Sequence, residues 1–190
     1  MTNWVWRVAA DAATEPATQV QVQVRRATEA DAAGIAHAHV QSWHATYPGI
    51  LPAAEIERHT LAQRAGMWAR VLQGSASGVF VAVAADEVRG FASTGAFRVG
   101  PAGGEGQGEG ELNALYLLSA AQRQGTGRLL FDAGANALRA AGFKALRCWV
   151  LQGNPAIAFY EKLGGLRVAS KTFTVDGVVV AEHCYRFDLT

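Results

Sequence analysis

Residues 111–130, ELNALYLLSAAQRQGTGRLL, carry the clearest chemical signal in the chain. An apolar run, Leu112–Leu118, reads as a buried strand, and Gln122-Arg123-Gln124-Gly125-Thr126-Gly127 opens a helix behind it. The first turn of a helix holds backbone N–H groups without partners, and the helix dipole is positive there. Glycines at 125 and 127 let the backbone approach a phosphate and turn those N–H groups toward it, while Arg123 and Arg128 add charge. The chemistry is anion binding, of a kind suited to a pyrophosphate. A glycine pair at a helix start also suits a plain tight turn. Two familiar motifs are excluded. No third glycine follows Gly127 as in a dinucleotide fingerprint, and the Gly-Lys-Ser/Thr of a P-loop is missing.

The elements that must position this segment follow from periodicity. Gln19–Ala27 alternates valine with polar residues, the pattern of a half-buried strand. Thr28-Glu29-Ala30-Asp31 resembles a capping box with Asp in the Glu position and opens a helix toward Trp43, broken at Tyr47-Pro48-Gly49. A second helical stretch follows Leu51-Pro52, with Ile56, Leu61, Met67, Trp68, Val71 and Leu72 as its apolar face. Val79–Ala84 and Val88–Phe97 read as a hairpin joined at Asp86-Glu87, and a glycine-rich mobile loop fills residues 99–110. After the central strand come a helix over Gly125–Ala141 with Leu129, Leu130, Ala133, Ala137 and Leu138 on one face, a buried strand Ala145–Leu151, and a short helix Pro155–Leu163. Two last strands, Leu166–Val175 and Val178–Leu189, meet at Asp176-Gly177, a strong hairpin turn. The expectation is one α+β domain over residues 20–190 with a mixed sheet of about seven strands, preceded by a flexible lead-in over 1–19.

The composition limits the function classes. In 190 residues, 50% are hydrophobic and 17% charged, which supports a full core. A net charge of +1 gives no field to draw nucleic acid, so no nucleic-acid partner is expected. Cys148 and Cys184 lack metal-site spacing and read as small core residues, and His37 and His39 read as a pair on a helix surface, so no metal is expected. No apolar run reaches a membrane span or a signal peptide, which points to the cytoplasm and to no membrane partner.

Three segments together bring a family into view. Gln122-x-x-Gly125-x-Gly127 after Leu115-Tyr116-Leu117 resembles the acyl-CoA motif of the GNAT superfamily of N-acyltransferases. Asn154 followed by Phe159-Tyr160-Glu161-Lys162-Leu163-Gly164 is similar to that family's second signature. Ser42-Trp43-His44-Ala45-Thr46-Tyr47-Pro48-Gly49-Ile50-Leu51-Pro52 resembles the first-helix region of one bacterial branch. The resemblance runs from about residue 22 to the C-terminus.

The resemblance implies a mostly antiparallel sheet with helices on both faces and a splay between its fourth and fifth strands. It implies acetyl-CoA as co-substrate, with Leu115, Tyr116 and Leu117 along the pantetheine and the backbone of Gln122, Arg123, Gln124, Gly125, Thr126, Gly127 and Arg128 around the pyrophosphate. Asn154 would contact the pantetheine end, although its spacing to Tyr160 is one position shorter than is commonest, and before Pro155 it would also serve as a helix cap. Tyr160 would face the thioester as general acid, or pack its ring there. Glu111 at the head of the central strand is the best placed base, against the alternative of an exposed strand-end charge; Glu109 and Glu105, in the loop, are weaker choices. Trp43, His44 and Tyr47 fall where the acceptor pocket would be walled, or in the core. The activity implied is direct acetyl transfer to a primary amine of a small molecule, amino acid or peptide. The alternative is a catalytically silent acyl-CoA sensor or assembly module. A homodimer through an edge strand is the assembly such a fold allows.

Overall fold

Seven strands and five helices are described by the computed structural model, which covers residues 21–74, 78–97 and 108–189. The lead-in and most of the glycine-rich loop lie outside the described residues. The strands are β1 (Gln23–Arg26), β2 (Gly78–Ala84), β3 (Glu87–Ala96), β4 (Gly110–Leu117), β5 (Ala145–Leu151), β6 (Leu166–Val175) and β7 (Val178–Asp188). They form one sheet in the order β1-β2-β3-β4-β5-β7-β6, antiparallel everywhere except between β4 and β5. The helices are α1 (Ala32–Thr46), α2 (Ala53–Glu57), α3 (Leu61–Gln73), α4 (Thr126–Ala140) and α5 (Ala156–Lys162). No helix among the described residues is long and apolar enough to cross a membrane.

Each face of the sheet has its own core. On one, α1 and α3 bring Ile35, Ala36, Ala38 and Trp68 onto Val79, Val81 and Phe91. On the other, α4 sets Leu130, Phe131, Ala135 and Leu138 against Ala92, Leu112, Leu146 and Phe187, and α5 adds Tyr160. The buried face of α4 is turned from the one read in the sequence: Leu129 is 49% exposed, and Phe131, Gly134 and Ala135 take the sheet side. Gly134 is required there, since a Cβ would stand 2.8 Å from Thr94 Cγ2.

Local chemistry accounts for the element ends, with several departures from the sequence reading. The stretch after Leu51-Pro52 is two helices. Thr60 caps α3 by accepting from the Gln63 N–H, and Gln63 accepts in return from the Thr60 N–H, so the chain restarts there. Asp31 accepts from the Thr28 N–H at 2.8 Å, as a capping box requires, but Thr28 Oγ1 donates to the same carboxylate and a 3-10 turn precedes α1. Ala85 and Asp86, both with positive φ, make the β2–β3 turn one residue earlier than Asp86-Glu87. Asp176-Gly177 turns β6 into β7 as expected, both with positive φ. α5 ends in a Schellman motif, the Gly164 N–H donating to Glu161 O and the Gly165 N–H to Tyr160 O.

His39 is the plainest departure. His37 is exposed, but His39 is buried, accepts at Nδ1 from Trp68 Nε1 (3.1 Å) and stacks on Tyr116 at 4.9 Å. Burial, helped by the nearby Arg64 and His59, pushes its pKa down to about 3. The ring under Tyr116 is therefore neutral at physiological pH.

Two outcomes follow. Gly164 has φ +89° with open space around it, whereas a Cβ on Gly165 would lie 2.6 Å from Phe187 Cζ and 3.0 Å from Tyr160 O. Thermal unfolding should show Gly164→Ala losing about 1 kcal/mol and Gly165→Ala about 2–3 kcal/mol; the reverse order would remove the packing argument. For His39, the unfolded chain holds one more proton than the folded one between pH 6.5 and about 3. Its stabilising effect is complete above pH 6.5 and is lost as pH falls through that window, by up to ~1.4 kcal/mol per pH unit. Denaturant titrations should find a shallower decline between pH 6.5 and 5 in His39→Gln than in wild type, and equal slopes would exclude the assignment.

Candidate functional site

β4 and β5 pair at only two positions, Gly110↔Leu146 and Glu111↔Arg147. Beyond them the strands part, although β4 continues to Leu117 and β5 to Leu151. On its other side β4 stays paired with β3 through Gly90↔Leu117, with a bulge between Ser93 and Thr94 that bends the pair. The Leu118 N–H donates to Arg89 O, so strand alternation turns the N–H groups of Leu117 and Leu115 toward the gap. A wedge lined by strand backbone opens in the middle of the sheet.

The helix start stands at the open end of this wedge. Gln122 Nε2 donates to Leu117 O (3.1 Å), as does Ser42 Oγ (2.9 Å), tying the loop and α1 to the last residue of β4. Arg123 (φ +60°) and Gly125 (φ +82°) are both left-handed, which curls the loop so that successive N–H groups converge. The Leu129 N–H is bonded to Gly125 O, and the N–H groups of Thr126, Gly127 and Arg128 precede it without helical partners. Residues 122–125 are exposed and Thr126 is buried. Gly127 permits close helix–strand packing, its absent Cβ falling 3.4 Å from Leu117 and 3.5 Å from Phe159. Arg128 shares its charge with Asp132 at 2.8 Å, and Gln124 Nε2 donates to Ala120 O.

Two tyrosines from different elements meet at β4, and a third lies on α5. Tyr47 Oη lies 3.1 Å from Tyr116 Oη, and burial raises the Tyr47 pKa, with Tyr116 and Asn154 acting against it. Tyr160 comes from α5 on the opposite face, where it packs near Tyr185 and Phe187. Burial pushes the phenols of Tyr160 and Tyr116 well above their ordinary value. Asn154 Oδ1 accepts from the Ala156 N–H at 2.9 Å, so the residue caps the start of α5.

The remaining sequence candidates separate. Trp43 packs on Tyr47 and His59 at 4.2 Å each, and its indole Nε1 is buried without a hydrogen-bond partner. His44 is exposed. Glu111 is buried at 6% exposure, unlike an exposed strand-end charge, at the last paired position before the strands part. Glu109, read as part of a mobile loop, is held by Arg186 and Arg147. Burial favours its neutral form, but hydrogen bonds from Arg186 and Arg147 outweigh this and keep its pKa below the ordinary value. Glu105 lies outside the described residues. Cys148 is buried, and burial pushes its thiol up, with the nearby Cys184 adding to the effect. Periodicity had no means of finding Arg64, His59 or Ser42, which reach the site from α1 and α3 or the turn between α2 and α3.

Comparison with known proteins agrees with this geometry. The profile of the Acetyltransferase (GNAT) family matches residues 38–165. YuaI of Bacillus subtilis, an uncharacterized N-acetyltransferase, is 40% identical over 165 residues, covering 85% of this chain and 90% of its own. Among solved structures, an N-acetyltransferase from Staphylococcus aureus Mu50 superposes with TM-score 0.70 at 22% identity, covering 90% of this chain and 99% of the other. The PaiA N-acetyltransferase of Thermoplasma acidophilum, solved with coenzyme A, superposes with TM-score 0.63 at 20% identity over 86% of this chain and 98% of the other. Salmonella typhimurium YncA, solved with acetyl-CoA, does so at TM-score 0.69 and 21% identity, over 89% and 94%. With its wedge, its glycine-capped helix and these relatives, the chain belongs to the GNAT family of acetyltransferases.

Proposed function

We propose that this enzyme transfers the acetyl group of acetyl-CoA directly to a primary amine of a small molecule, amino acid or peptide. The observation that carries the reading is the parting of β4 and β5 after two pairs, beside the convergent N–H groups at the start of α4. The strand N–H at Leu115 pairs with the pantetheine arm, and the backbone of residues 122–128 takes the pyrophosphate. Asn154, through its amide, borders the cysteamine end. The Leu117 N–H stands where an oxyanion develops.

Glu111, at the apex of the wedge, draws the ammonium proton from the acceptor through water. The amine then attacks the thioester carbon, and collapse of the tetrahedral intermediate expels the CoA thiolate. Tyr160 returns a proton to that sulfur. A phenol held protonated by burial can donate, and the same water-poor setting raises the proton affinity of the thiolate. No enzyme nucleophile is needed, and the buried, protonated Cys148 thiol is unsuited to the part. Tyr47 and Trp43 wall the acceptor side; His44, exposed, is at most on its rim. A silent acyl-CoA sensor would bind the cofactor and release no thiol above background, so a thiol-release assay across an amine panel separates the two readings.

The phosphate site predicts a split between two substitutions. Asn tolerates the left-handed backbone that Gly125 adopts and Val does not. Calorimetry should find Gly125→Val weaker for acetyl-CoA by a few kcal/mol and Gly125→Asn nearer to wild type. A folded Val variant with unchanged affinity would eliminate the site. For the acid role, Tyr160→Phe keeps the ring and removes the hydroxyl. It should lower kcat about a hundredfold or more with little change in cofactor affinity. A variant within about threefold of wild type, measured where chemistry limits the rate, would leave Tyr160 a packing residue.

A further inference from the structure

Arg64 on α3 is half-buried, and its guanidinium lies over the Trp43 indole at 5.9 Å. Nη1 donates to Met67 Sδ at 3.4 Å, and Nη2 donates to His59 Nδ1. Arginine has no acceptor, so His59 receives that bond on a bare Nδ1, and its own proton sits on Nε2, 3.1 Å from Glu55 Oε1. His59 is therefore neutral. The other oxygen of Glu55 is held by Arg58, which also grips both carboxylate oxygens of Asp176 at 2.6 and 2.8 Å.

The acids nearby are thus committed elsewhere. Among the described residues Arg64 makes no ion pair, and three of its five N–H groups are left for another partner. A half-buried cation with no ion pair of its own is only partly solvated, and burial lowers its pKa although the nearby Glu55, already paired with Arg58 and His59, offsets part of this. Its surroundings are those of the acceptor side. Trp43 packs on Tyr47, and Tyr47 bonds Tyr116.

We propose that Arg64 binds the carboxylate of the acceptor, so that the substrate is a small amino acid with its amine and carboxylate on one molecule. A planar guanidinium fork matches a carboxylate with two parallel bonds. One positive charge balances one carboxylate, whereas a phosphate dianion would call for a second cation, and the adjoining His59 is neutral. The proposal rests on the transferase reading above and names its substrate class.

The test uses matched pairs, several α-amino acids and their carboxamides, which share the amine and differ in the charge. Wild type should favour the acid over the amide in kcat/KM by about tenfold to a hundredfold. Arg64→Gln should collapse that ratio, and Arg64→Lys, with charge but no fork, should restore part of it. Calorimetric titration of the acid and amide into the CoA-loaded protein should give the same preference without turnover. Equal use of acid and amide by wild type, or a ratio unchanged in Arg64→Gln, would overturn the proposal. Arg64-dependent binding of the acid without acetylation of any amine would uphold this site and sink the transferase reading. Turnover without acid preference would do the reverse.

Discussion

A parallel strand pair that holds for two residues and then opens leaves backbone N–H groups pointing into a gap, and much of the molecule is arranged around that defect. A buried donor needs a partner, so the gap is either closed by protein or kept for a ligand. The protein closes only its far end. Ser42 and Gln122 bond the carbonyl of Leu117, while the strand edge before it is left to the gap. The bulge in β3–β4 bends β4, and β5 is held by β7 over its whole length, from Ala145↔Asp188 to Leu151↔Glu182. The two strands are thus anchored to different neighbours, which keeps the wedge open.

Burial sets the electrostatics on both faces of the sheet. Tyr160 belongs to the core under α4 and α5, Tyr116 to the one under α1 and α3. The phenols of both cores sit in a water-poor setting, where each ionises with difficulty. Neutral His39 beneath Tyr116 fits this pattern, since a charged ring there would sit among Trp68, Phe91 and Tyr116 without compensation. Arg64 and the Arg147–Glu109–Arg186 group keep their charges at the borders, where solvent or an ion pair supports them.

Features decided within a few residues were legible in the sequence. The Asp176-Gly177 turn, the Pro155 start of α5 and the run from Leu112 into Gly125 depend on φ preferences, caps and short-range periodicity. The errors arose where local patterns were ambiguous. Alternative turns at Ala85 and Asp86 differ by one residue, and periodicity carried one helix across Arg58–Thr60 because an apolar face continued on both sides. Leu129 was assigned to the core by its type, but small residues at Gly134 and Ala135 rotate the contact face of α4 toward Thr94.

By itself, the sequence determined the α+β class, the order of the elements, the glycine-opened helix and the family, because each is written in residues close together along the chain. The tertiary structure alone decided which polar groups meet. Ser42 and Leu117 are 75 positions apart, Tyr47 and Tyr116 are 69, and Arg58 and Asp176 are 118. Whether His39 is a surface base or a buried neutral ring depends on α3 lying across α1. Whether Glu109 is a loose carboxylate or one arm of an ion-pair group depends on β7 lying beside β5. Such contacts arise from packing between distant segments, and short-range propensity carries no record of them.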